Sequence, residues 1–265
     1  MDIRNTRPES AQATYDQMAA HYDAFTAHHD YQVWLGALLK AARAHGLVGR
    51  RLLDVGCGTG KSFLPLIDQD WQICGCDISA EMIAIAREKA PSTVQLEVAD
   101  MRALPSFGEF DLVWCLDDAI NYLLDPDDLV SALCAMRSNL AARGLLVFDV
   151  NTLLTYRTFF AETQIISSGS HVLRWEGRAS PTAGPGDTFE ALFEALVAGQ
   201  SSSQTIHTQR HFPPEQILSA FEQAVLEPLA IFGHGLDARF EQPLDESRHT
   251  KAVFLARRPA TEEGG

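Results

Sequence analysis

The stretch LLDVGCGTG, residues 52–60, carries the strongest fold signal in the chain. An apolar strand with Asp54 near its end runs into a turn that contains Gly56, Gly58 and Gly60. Glycines let the backbone bend tightly and approach a ligand, and open α/β sheets bind their ligands at this carboxyl edge. We predict that the turn leads into a helix and holds a ligand. Because glycine turns of this kind are common, the residues around it have to identify that ligand.

Acidic residues surround the turn where a dinucleotide-binding site would need glycine or positive charge. Lys61 occupies the position of the third glycine of a dinucleotide fingerprint, and Asp54 would repel a pyrophosphate. The next strand ends in Asp77, roughly 20 residues beyond Gly56, where a carboxylate accepts hydrogen bonds from two ribose hydroxyls. Asp100 follows the third strand and is placed to meet an adenine amino group. Carboxylates at the ends of three successive strands, without a site for phosphate groups, indicate that the ligand is a positively charged nucleoside.

On both sides of the glycine turn, short apolar runs alternate with amphipathic segments. Seven of the runs predict strands of one sheet: Arg51–Val55, Trp71–Cys76, Val94–Val98, Phe110–Leu116, Leu145–Val150, Leu226–Phe232 and Ala252–Ala256. Ser79 is placed to cap a helix over Ala80–Lys89, and Asp125 to cap a helix whose apolar stripe extends to Leu140. Strands that alternate with helices predict an α/β fold with a mostly parallel sheet and right-handed crossovers.

Two further segments flank this core. Residues 9–45 have apolar residues at helical spacing and predict N-terminal helices. After Val150 the alternation stops, and strand-like pieces at 171–175, 188–197 and 205–212 predict an antiparallel insertion, although 188–197 also fits helical spacing. We predict one domain composed of N-terminal lid helices (1–47), a ligand-binding core (48–150), the insertion as a substrate cap (151–212) and the C-terminal part of the sheet (213–258).

The composition excludes several classes of partner. The 265 residues include 35 acidic and 21 basic side chains, which gives a formal net charge of -14. Such a surface repels phosphate backbones and anionic membranes, so we expect neither a nucleic-acid nor a membrane partner. The first ten residues, MDIRNTRPES, contain no apolar stretch, so we expect no secretory signal peptide and a cytoplasmic location.

The histidines and cysteines do not predict a metal site. His207 and His211 are four residues apart, and in a strand that spacing separates two side chains by about 13 Å, too far for one ion. Cys74 and Cys76 share a strand face but lack a second ligand pair. We expect no metal, and a structural or surface role for both histidines.

The glycine turn, Asp77 and Asp100 follow one another in the order and spacing of the class I S-adenosylmethionine-dependent methyltransferases, which residues 45–155 resemble. Within that class, YDQMAAHYDAF (15–25), CLDDAINYLL (115–124) and the insertion resemble small-molecule enzymes that include amino-sugar N,N-dimethyltransferases and glycine N-methyltransferase. The resemblance implies a Rossmann-like fold and S-adenosylmethionine as the cofactor.

The resemblance also implies roles for individual residues on the cofactor side. Tyr15 and Tyr22 would lie on a lid helix over the cofactor, with Tyr15 near the sulfonium methyl. The glycines Gly56, Gly58 and Gly60 would meet the methionine portion. Asp77 would hold the ribose, and Asp100 with Met101 the adenine. The remaining cofactor-binding residues that we predict are Asp54, Ile78 and Leu116.

The segment after the fourth strand would line the mouth of the site. Asp117 and Asp118 are placed to hold a substrate ammonium, while Asn121 and Tyr122 are placed to touch the acceptor. Arg210 would face the substrate from the insertion. In the amino-sugar relatives a histidine stands where this chain has Tyr122, so the resemblance does not supply a general base.

Tyr15 and Tyr122 are the predicted catalytic residues. A neutral amine needs positioning more than it needs a base, because the methyl group of a sulfonium is already activated. The favoured function is therefore methyl transfer to an amine of a specialised metabolite or amino sugar. An oxygen or carbon acceptor, an RNA substrate and a protein that binds the cofactor without transferring methyl remain alternatives, and a homodimer is one candidate assembly. Each of these assignments has a competing structural interpretation. Tyr15 and Tyr22 would then pack in the core, and Asp117 and Asp118 would form a solvated turn.

Overall fold

The computed structural model describes residues 10–169, 171–180, 182–197, 200–235 and 239–260. Residues 1–9, on which the expectation about a signal peptide depends, lie outside the described residues. Among the helices that are described, none combines the length and the apolar content that crossing a membrane requires.

The elements alternate along the chain much as the apolar pattern predicts. The strands are β1 (Arg51–Val55), β2 (Gln72–Asp77), β3 (Gln95–Val98), β4 (Phe110–Cys115), β5 (Leu140–Asn151), β6 (Thr163–Ser168), β7 (His171–Gly177), β8 (Thr188–Val197), β9 (Gln200–Arg210), β10 (Glu227–His234), β11 (Phe240–Glu241) and β12 (Lys251–Arg257). The helices are α1 (Ala11–Phe25), α2 (Tyr31–Ala44), α3 (Ala80–Lys89), α4 (Pro126–Ser138), α5 (Leu153–Arg157) and α6 (Pro214–Gln223). Short 3-10 helices cover Leu64–Gln69, Met101–Ala103, Ala119–Tyr122 and Phe159–Ala161.

Eight strands form the large sheet in the spatial order β11-β10-β12-β5-β4-β1-β2-β3. Strands β1 to β5 run parallel, while β12, β10 and β11 are antiparallel to their neighbours. The predicted α/β fold with a mostly parallel sheet is confirmed, but the predicted number of seven strands is wrong. The additional strand, β11, has two residues and pairs with Gly233 and His234 of β10. Two residues are too few to show a periodicity, so no sequence pattern indicates this strand.

A second sheet, β6-β7-β8-β9, is antiparallel and follows β5 in the chain. The predicted antiparallel insertion after the fifth strand is confirmed. Strand β8 occupies the segment that fits both helical and strand spacing. It is a strand whose inward-facing side chains alternate with outward ones, and Phe189, Ala191, Phe193 and Ala195 are buried in the core of the insertion.

Helix α4 ends earlier than the apolar stripe predicts. The carboxylate of Asp125 accepts the backbone N–H of Asp127 and caps the helix as expected. Leu140, however, does not lie on α4, because it begins β5 and pairs with Phe110 of β4. The helix has already ended at Ser138.

The glycine turn leads into a 3-10 helix, Leu64–Gln69, and not into an α-helix. Pro65 lacks a backbone N–H, and proline disfavours the helical conformation of the residue that precedes it. Pro65 therefore disfavours an α-helix that begins at the glycine turn and continues through this segment.

Helices cover both faces of the large sheet. Helices α4 and α6 pack on one face around Phe148, and α2 and α3 pack on the other around Trp114. Because both faces are buried, the carboxyl edge is the part of the sheet that is left for a ligand.

Helix α1 bridges the two sheets. It contacts α3 on the side of the large sheet and β9, β6 and β7 in the insertion. Its Asp16 accepts a hydrogen bond from the Ser79 hydroxyl at 2.6 Å, and its Asp23 accepts one from the Thr59 hydroxyl at 2.6 Å. On the opposite side, the hydroxyl of Thr14 donates to the backbone carbonyl of Ile206 in β9 at 3.3 Å.

Candidate active site

A cavity of about 580 Å³ lies at the carboxyl edge of the large sheet, next to α1. Most of the residues that the sequence marks as functional line it: Tyr15, Tyr22, Gly56, Gly58, Asp77, Ile78, Asp100, Met101, Leu116, Asp117 and Tyr122. The structure does not bring the following five to the cavity wall: Asp54, Gly60, Asp118, Asn121 and Arg210. The cavity thus collects residues from α1 and from the ends of β1, β2, β3 and β4.

The glycine turn closes one side of the cavity in a backbone conformation that glycine favours. Gly56 and Gly60 have φ angles of 71° and 90°. A Cβ atom on Gly60 would lie 2.8 Å from the Phe63 ring, and one on Gly56 would lie 3.1 Å from the Cβ of Ala119. Any larger residue at these two positions would be strained and would crowd its neighbour.

Asp77, at the end of β2, has its carboxylate held in place by backbone donors. One oxygen accepts the N–H of Gly58 at 2.9 Å, and the other accepts the N–H of Ser79 at 2.9 Å. Burial raises the pKa of Asp77, and these two hydrogen bonds oppose the rise. The carboxylate is therefore fixed in orientation at the cavity wall, where an arriving hydroxyl group could donate to it.

Asp54 lies behind the glycine turn and not in the cavity. It is 1% exposed, and one of its carboxylate oxygens accepts a hydrogen bond from the Ser62 hydroxyl. Burial raises the pKa of Asp54 to about 7, against the effect of that hydrogen bond. Its contact with a ligand would have to be indirect, through the backbone of the turn.

Asp100 forms a bidentate salt bridge with Arg102 in the cavity wall. The guanidinium of Arg102 binds both oxygens of Asp100, with Nη2 2.6 Å from Oδ2, and also reaches Asp128 at 3.1 Å. The hydrogen bonds from Arg102 lower the pKa of Asp100. The carboxylate that the sequence assigns to an adenine amino group is thus already bound by a cation from the same loop.

Asp117 connects the end of β4 to the N-terminal helices. One of its oxygens accepts hydrogen bonds from the hydroxyls of Tyr31 at 2.7 Å and Tyr22 at 3.3 Å. Tyr31 begins α2, and nothing in its local sequence marks it as part of the site. The turn that carries Asp117 and Asp118 has φ angles of 60° and 55°, and both backbone N–H groups donate to the carboxylate of Asp149.

Lys251, at the start of β12, lies among three carboxylates. Its Nζ is 2.6 Å from Asp118, 2.7 Å from Asp149 and 3.5 Å from Asp117. Burial by itself raises the pKa of Asp117, but Lys251, His29 and the hydrogen bond from Tyr31 together outweigh burial and lower that pKa. Burial raises the pKa of Asp118, which Lys251 opposes and the neighbouring carboxylates reinforce. Asp118 also accepts a hydrogen bond from the amide of Gln209 at 2.6 Å, and it does not line the cavity.

Sequence reasoning misses Lys251 and Asp149. The one signal that would have found them is a charged residue in an otherwise apolar run, in LLVFDV (145–150) and KAVFLAR (251–257). A buried charge needs a partner, and these two runs pair side by side in the large sheet.

Tyr15, Tyr122 and His207 form an aromatic group on the insertion side of the cavity. The ring centroids of Tyr15 and Tyr122 are 5.1 Å apart, and those of Tyr15 and His207 are 5.9 Å apart. Nδ1 of His207 lies 2.7 Å from the Tyr122 hydroxyl. The sequence predicts only a structural or surface role for His207, because its position in β9 beside Tyr122 depends on a contact between residues 85 positions apart.

Asn121 and Arg210 connect the 3-10 helix Ala119–Tyr122 to β9. The amide of Asn121 donates to the carbonyl of Arg210 at 2.8 Å, and its oxygen accepts the N–H of Asn151 at 2.9 Å. The guanidinium of Arg210 lies 5.9 Å from the centre of the Phe212 ring. Both residues therefore hold the insertion against the large sheet.

Comparisons with known proteins place these features in context. A family model described as a methyltransferase domain matches residues 52–144. The dTDP-3-amino-3,6-dideoxy-alpha-D-glucopyranose N,N-dimethyltransferase of Streptomyces fradiae is 30% identical over 203 residues, 74% of this chain and 78% of its own length.

Solved structures share the whole architecture. The sugar N-methyltransferase KedS8 from Streptoalloteichus sp. ATCC 53650 is 25% identical, with a TM-score of 0.70 over 98% of this chain and 99% of its own. An S-adenosylmethionine-dependent methyltransferase from Clostridium acetobutylicum ATCC 824 is 22% identical, with a TM-score of 0.76 over 93% of this chain and 99% of its own.

Proposed function

The chain belongs to the S-adenosylmethionine-dependent methyltransferases, and we propose that it methylates an amine nitrogen of a small molecule, with an amino sugar or a related specialised metabolite as the acceptor. S-adenosylmethionine supplies a methyl group that is activated by the positive sulfur. The acceptor's lone pair forms the new C–N bond as the C–S bond breaks with its electrons staying on sulfur. The positive charge then resides on nitrogen until a proton is lost.

The cavity wall suits a cationic nucleoside. Asp77, Asp100 and Asp117 line it together with the rings of Tyr15 and Tyr22, and aromatic faces attract cations as carboxylates do. We assign the ribose hydroxyls to Asp77, because its carboxylate is oriented by backbone donors before any ligand arrives. The methionine portion would lie against Gly56, Gly58 and Leu116, and the adenine against Ile78 and Met101, all of which line the same cavity.

The observation that carries the proposal is the edge-to-face contact of Tyr15 and Tyr122 at 5.1 Å in the wall of that cavity. Tyr15 comes from α1 and Tyr122 from the segment after β4, so the two hydroxyls approach the acceptor from different elements. Burial raises the pKa of both hydroxyls above the ordinary value for tyrosine, which keeps them protonated as hydrogen-bonding groups. Such groups orient an amine, and orientation is the main requirement of this reaction.

Two of the relatives support nitrogen as the acceptor atom. The Streptomyces fradiae relative is named for dimethylation of an amino sugar, and KedS8 is named as a sugar N-methyltransferase. An amine also suits the acidic wall, because it arrives neutral or positively charged. The formal charge of -14 favours neither an RNA substrate nor an anionic membrane, and we propose a cytoplasmic enzyme that acts on free small molecules. A homodimer remains a prediction.

Transfer of an isotope-labelled methyl group tests the proposal. The purified protein would be incubated with labelled cofactor and a mixed panel of amines, phenols and sugar hydroxyls, and the products identified by mass spectrometry. Label on an amine is the expected result. Label on oxygen or carbon would contradict the choice of acceptor atom. Binding of S-adenosylhomocysteine without any labelled product would favour a protein that binds the cofactor but does not transfer its methyl group.

A further inference from the structure

His207 is a buried imidazole directly behind the acceptor side of the cavity. It lies on β9, is 1% exposed, and does not itself line the cavity. Its Nδ1 is 2.7 Å from the hydroxyl of Tyr122, which does line the cavity, and its Nε2 is 3.2 Å from the hydroxyl of Thr205. Both ring nitrogens are thus within hydrogen-bond distance of a hydroxyl group.

The surroundings of His207 keep it uncharged. The rings of Trp175 and Phe193 lie 5.1 Å and 6.1 Å from the imidazole, centre to centre. Burial lowers the pKa of His207 to about 3. At neutral pH one ring nitrogen therefore carries a hydrogen and the other accepts a hydrogen bond.

The chemistry of the two partners indicates which nitrogen accepts. A phenol hydroxyl is a stronger hydrogen-bond donor than the N–H of a neutral imidazole, and an unprotonated imidazole nitrogen is a stronger acceptor than a phenol oxygen. The stronger pairing has the Tyr122 O–H donating to Nδ1, while the Nε2–H of His207 donates to Thr205.

On the basis of the proposed amine methylation, we propose that His207 is a positioning residue for the acceptor. Its Nδ1 takes up the hydroxyl hydrogen of Tyr122, so the Tyr122 oxygen acts only as an acceptor. The side chains of Tyr15 and Gln209 are within hydrogen-bond reach of that oxygen, and an N–H of the incoming amine would take the place of one of them. The amine's own lone pair is then free to point at the methyl group. His207 neither gains nor loses a proton, and the proton of the methylated product leaves with that product.

This arrangement restricts the acceptor to molecules that carry an N–H. A primary amine can be methylated twice, because the monomethyl product still has one N–H to donate to Tyr122. The dimethyl product has none. We therefore expect mono- and dimethylated products and no quaternary ammonium ion.

Variants of His207 separate positioning from folding. His207→Phe keeps a buried ring but removes the acceptor nitrogen, and we expect kcat to fall about tenfold or more from lost orientation. The affinity for S-adenosylhomocysteine, measured by titration calorimetry, should stay within about twofold. His207→Gln keeps a side-chain oxygen that can accept from Tyr122 and should recover most of the rate. His211→Phe removes another buried imidazole, one that contacts Glu246 and not Tyr122, and serves as the matched control at wild-type kcat.

A double-mutant comparison tests whether His207 works through Tyr122. Tyr122→Phe should reduce kcat, and the double variant with His207→Phe should be no slower than Tyr122→Phe alone. Losses that multiply would overturn the proposal, as would wild-type turnover in His207→Phe. The proposal would also be overturned by a quaternary ammonium product.

Nitrogen NMR of the wild-type protein with ¹⁵N-labelled histidine tests the arrangement without turnover. We expect an unprotonated Nδ1 for His207 whose resonance moves in Tyr122→Phe. A protonated Nδ1 would overturn the proposal. A wild-type protein that methylates no amine would overturn the proposed function instead, and the resonance would still decide how His207 and Tyr122 are joined.

Discussion

The ammonium of Lys251 lies 2.6 Å from a carboxylate oxygen of Asp118, although 133 positions separate the two residues in the chain. The same ammonium is shared with Asp149 and Asp117, so one cation faces three carboxylates. Buried charges are tolerated when they are paired and hydrogen-bonded, and here the ammonium of Lys251 contacts all three carboxylates. The turn at Asp117 and Asp118, on the acceptor side of the cavity, is therefore held in place by Lys251 of β12.

Lys251→Met should destabilise the protein strongly. The methionine fills a similar volume but leaves three carboxylates close together without the ammonium that they share, which we expect to lower the free energy of unfolding by about 3–5 kcal/mol. Urea unfolding at neutral pH measures the change. The control is Arg50→Met, which removes an exposed pair with Asp70 at 3.4 Å and should cost less than about 1 kcal/mol. Equal effects of the two substitutions would contradict the importance of the buried cluster.

Asp77→Ala should abolish cofactor binding and leave the fold intact. Hydrogen bonds to a charged group are worth about 1.5–3 kcal/mol each, so losing two to a ribose corresponds to a loss of affinity of about a hundredfold or more. Titration calorimetry with S-adenosylhomocysteine measures the loss, and circular dichroism checks the fold. Unchanged affinity in a folded variant would remove the ribose assignment.

Asp54 should make the stability of the cofactor-free protein depend on pH. Its pKa is about 7 in the folded protein because it is buried, whereas an unfolded chain gives about 4. Between these values the folded state keeps a proton that the unfolded state has lost, so the free energy of unfolding falls as the pH rises, by up to about 4 kcal/mol. Asp54→Asn lacks this titration. Urea unfolding at pH 5 and pH 8 should therefore show a smaller decrease for the variant than for the wild type, and parallel decreases would argue against a protonated Asp54.

Tyr15→Phe should reduce turnover more than cofactor affinity. The substitution keeps the ring that packs against Tyr122 and removes only the hydroxyl, so we expect kcat to fall about tenfold while the affinity for S-adenosylhomocysteine changes little. Single-turnover rates and calorimetry measure the two quantities. Equal rates in variant and wild type would reduce Tyr15 to a packing residue.

The acidic wall should discriminate against phosphate on the acceptor. Asp77, Asp100, Asp117 and Asp128 line the cavity, and Arg102 is already paired with two of them. We expect KM to rise about tenfold when a phosphate is added to an otherwise identical amine, and the difference to shrink at high ionic strength. The comparison uses a matched pair of amines at low and high salt. A lower KM for the phosphorylated acceptor would point to a cation that meets the phosphate elsewhere on the protein.

The parts of the site that the sequence predicts are those built from local pattern. Gly56 and Gly58 follow a strand, and Asp77 ends the next one, so the rules of parallel sheets bring them to one edge. Gly60 and Asp54 belong to the same motif yet support the turn from behind, because a pattern of residue types does not tell which side chains face a ligand and which face the core.

The parts that the sequence does not predict are contacts across the chain. His207 reaches Tyr122 only because the insertion folds back on the large sheet, and Lys251 reaches Asp118 only because β12 pairs with β5. No periodicity within either segment encodes the register of that pairing. A buried charge in an apolar strand is the one local sign that such a partner exists.

Helix α1 has a thermodynamic consequence for the two ligands. It is hydrogen-bonded to the large-sheet side through Asp16 and Asp23 and to the insertion through Thr14, and it carries Tyr15 and Tyr22 between them. If the first ligand to bind orders this helix, the second ligand binds to a helix that is already ordered. The entropy of ordering is lost only once, so the second ligand binds more tightly than it would alone. Linkage then requires reciprocity: whatever factor the cofactor contributes to acceptor affinity, the acceptor contributes to cofactor affinity.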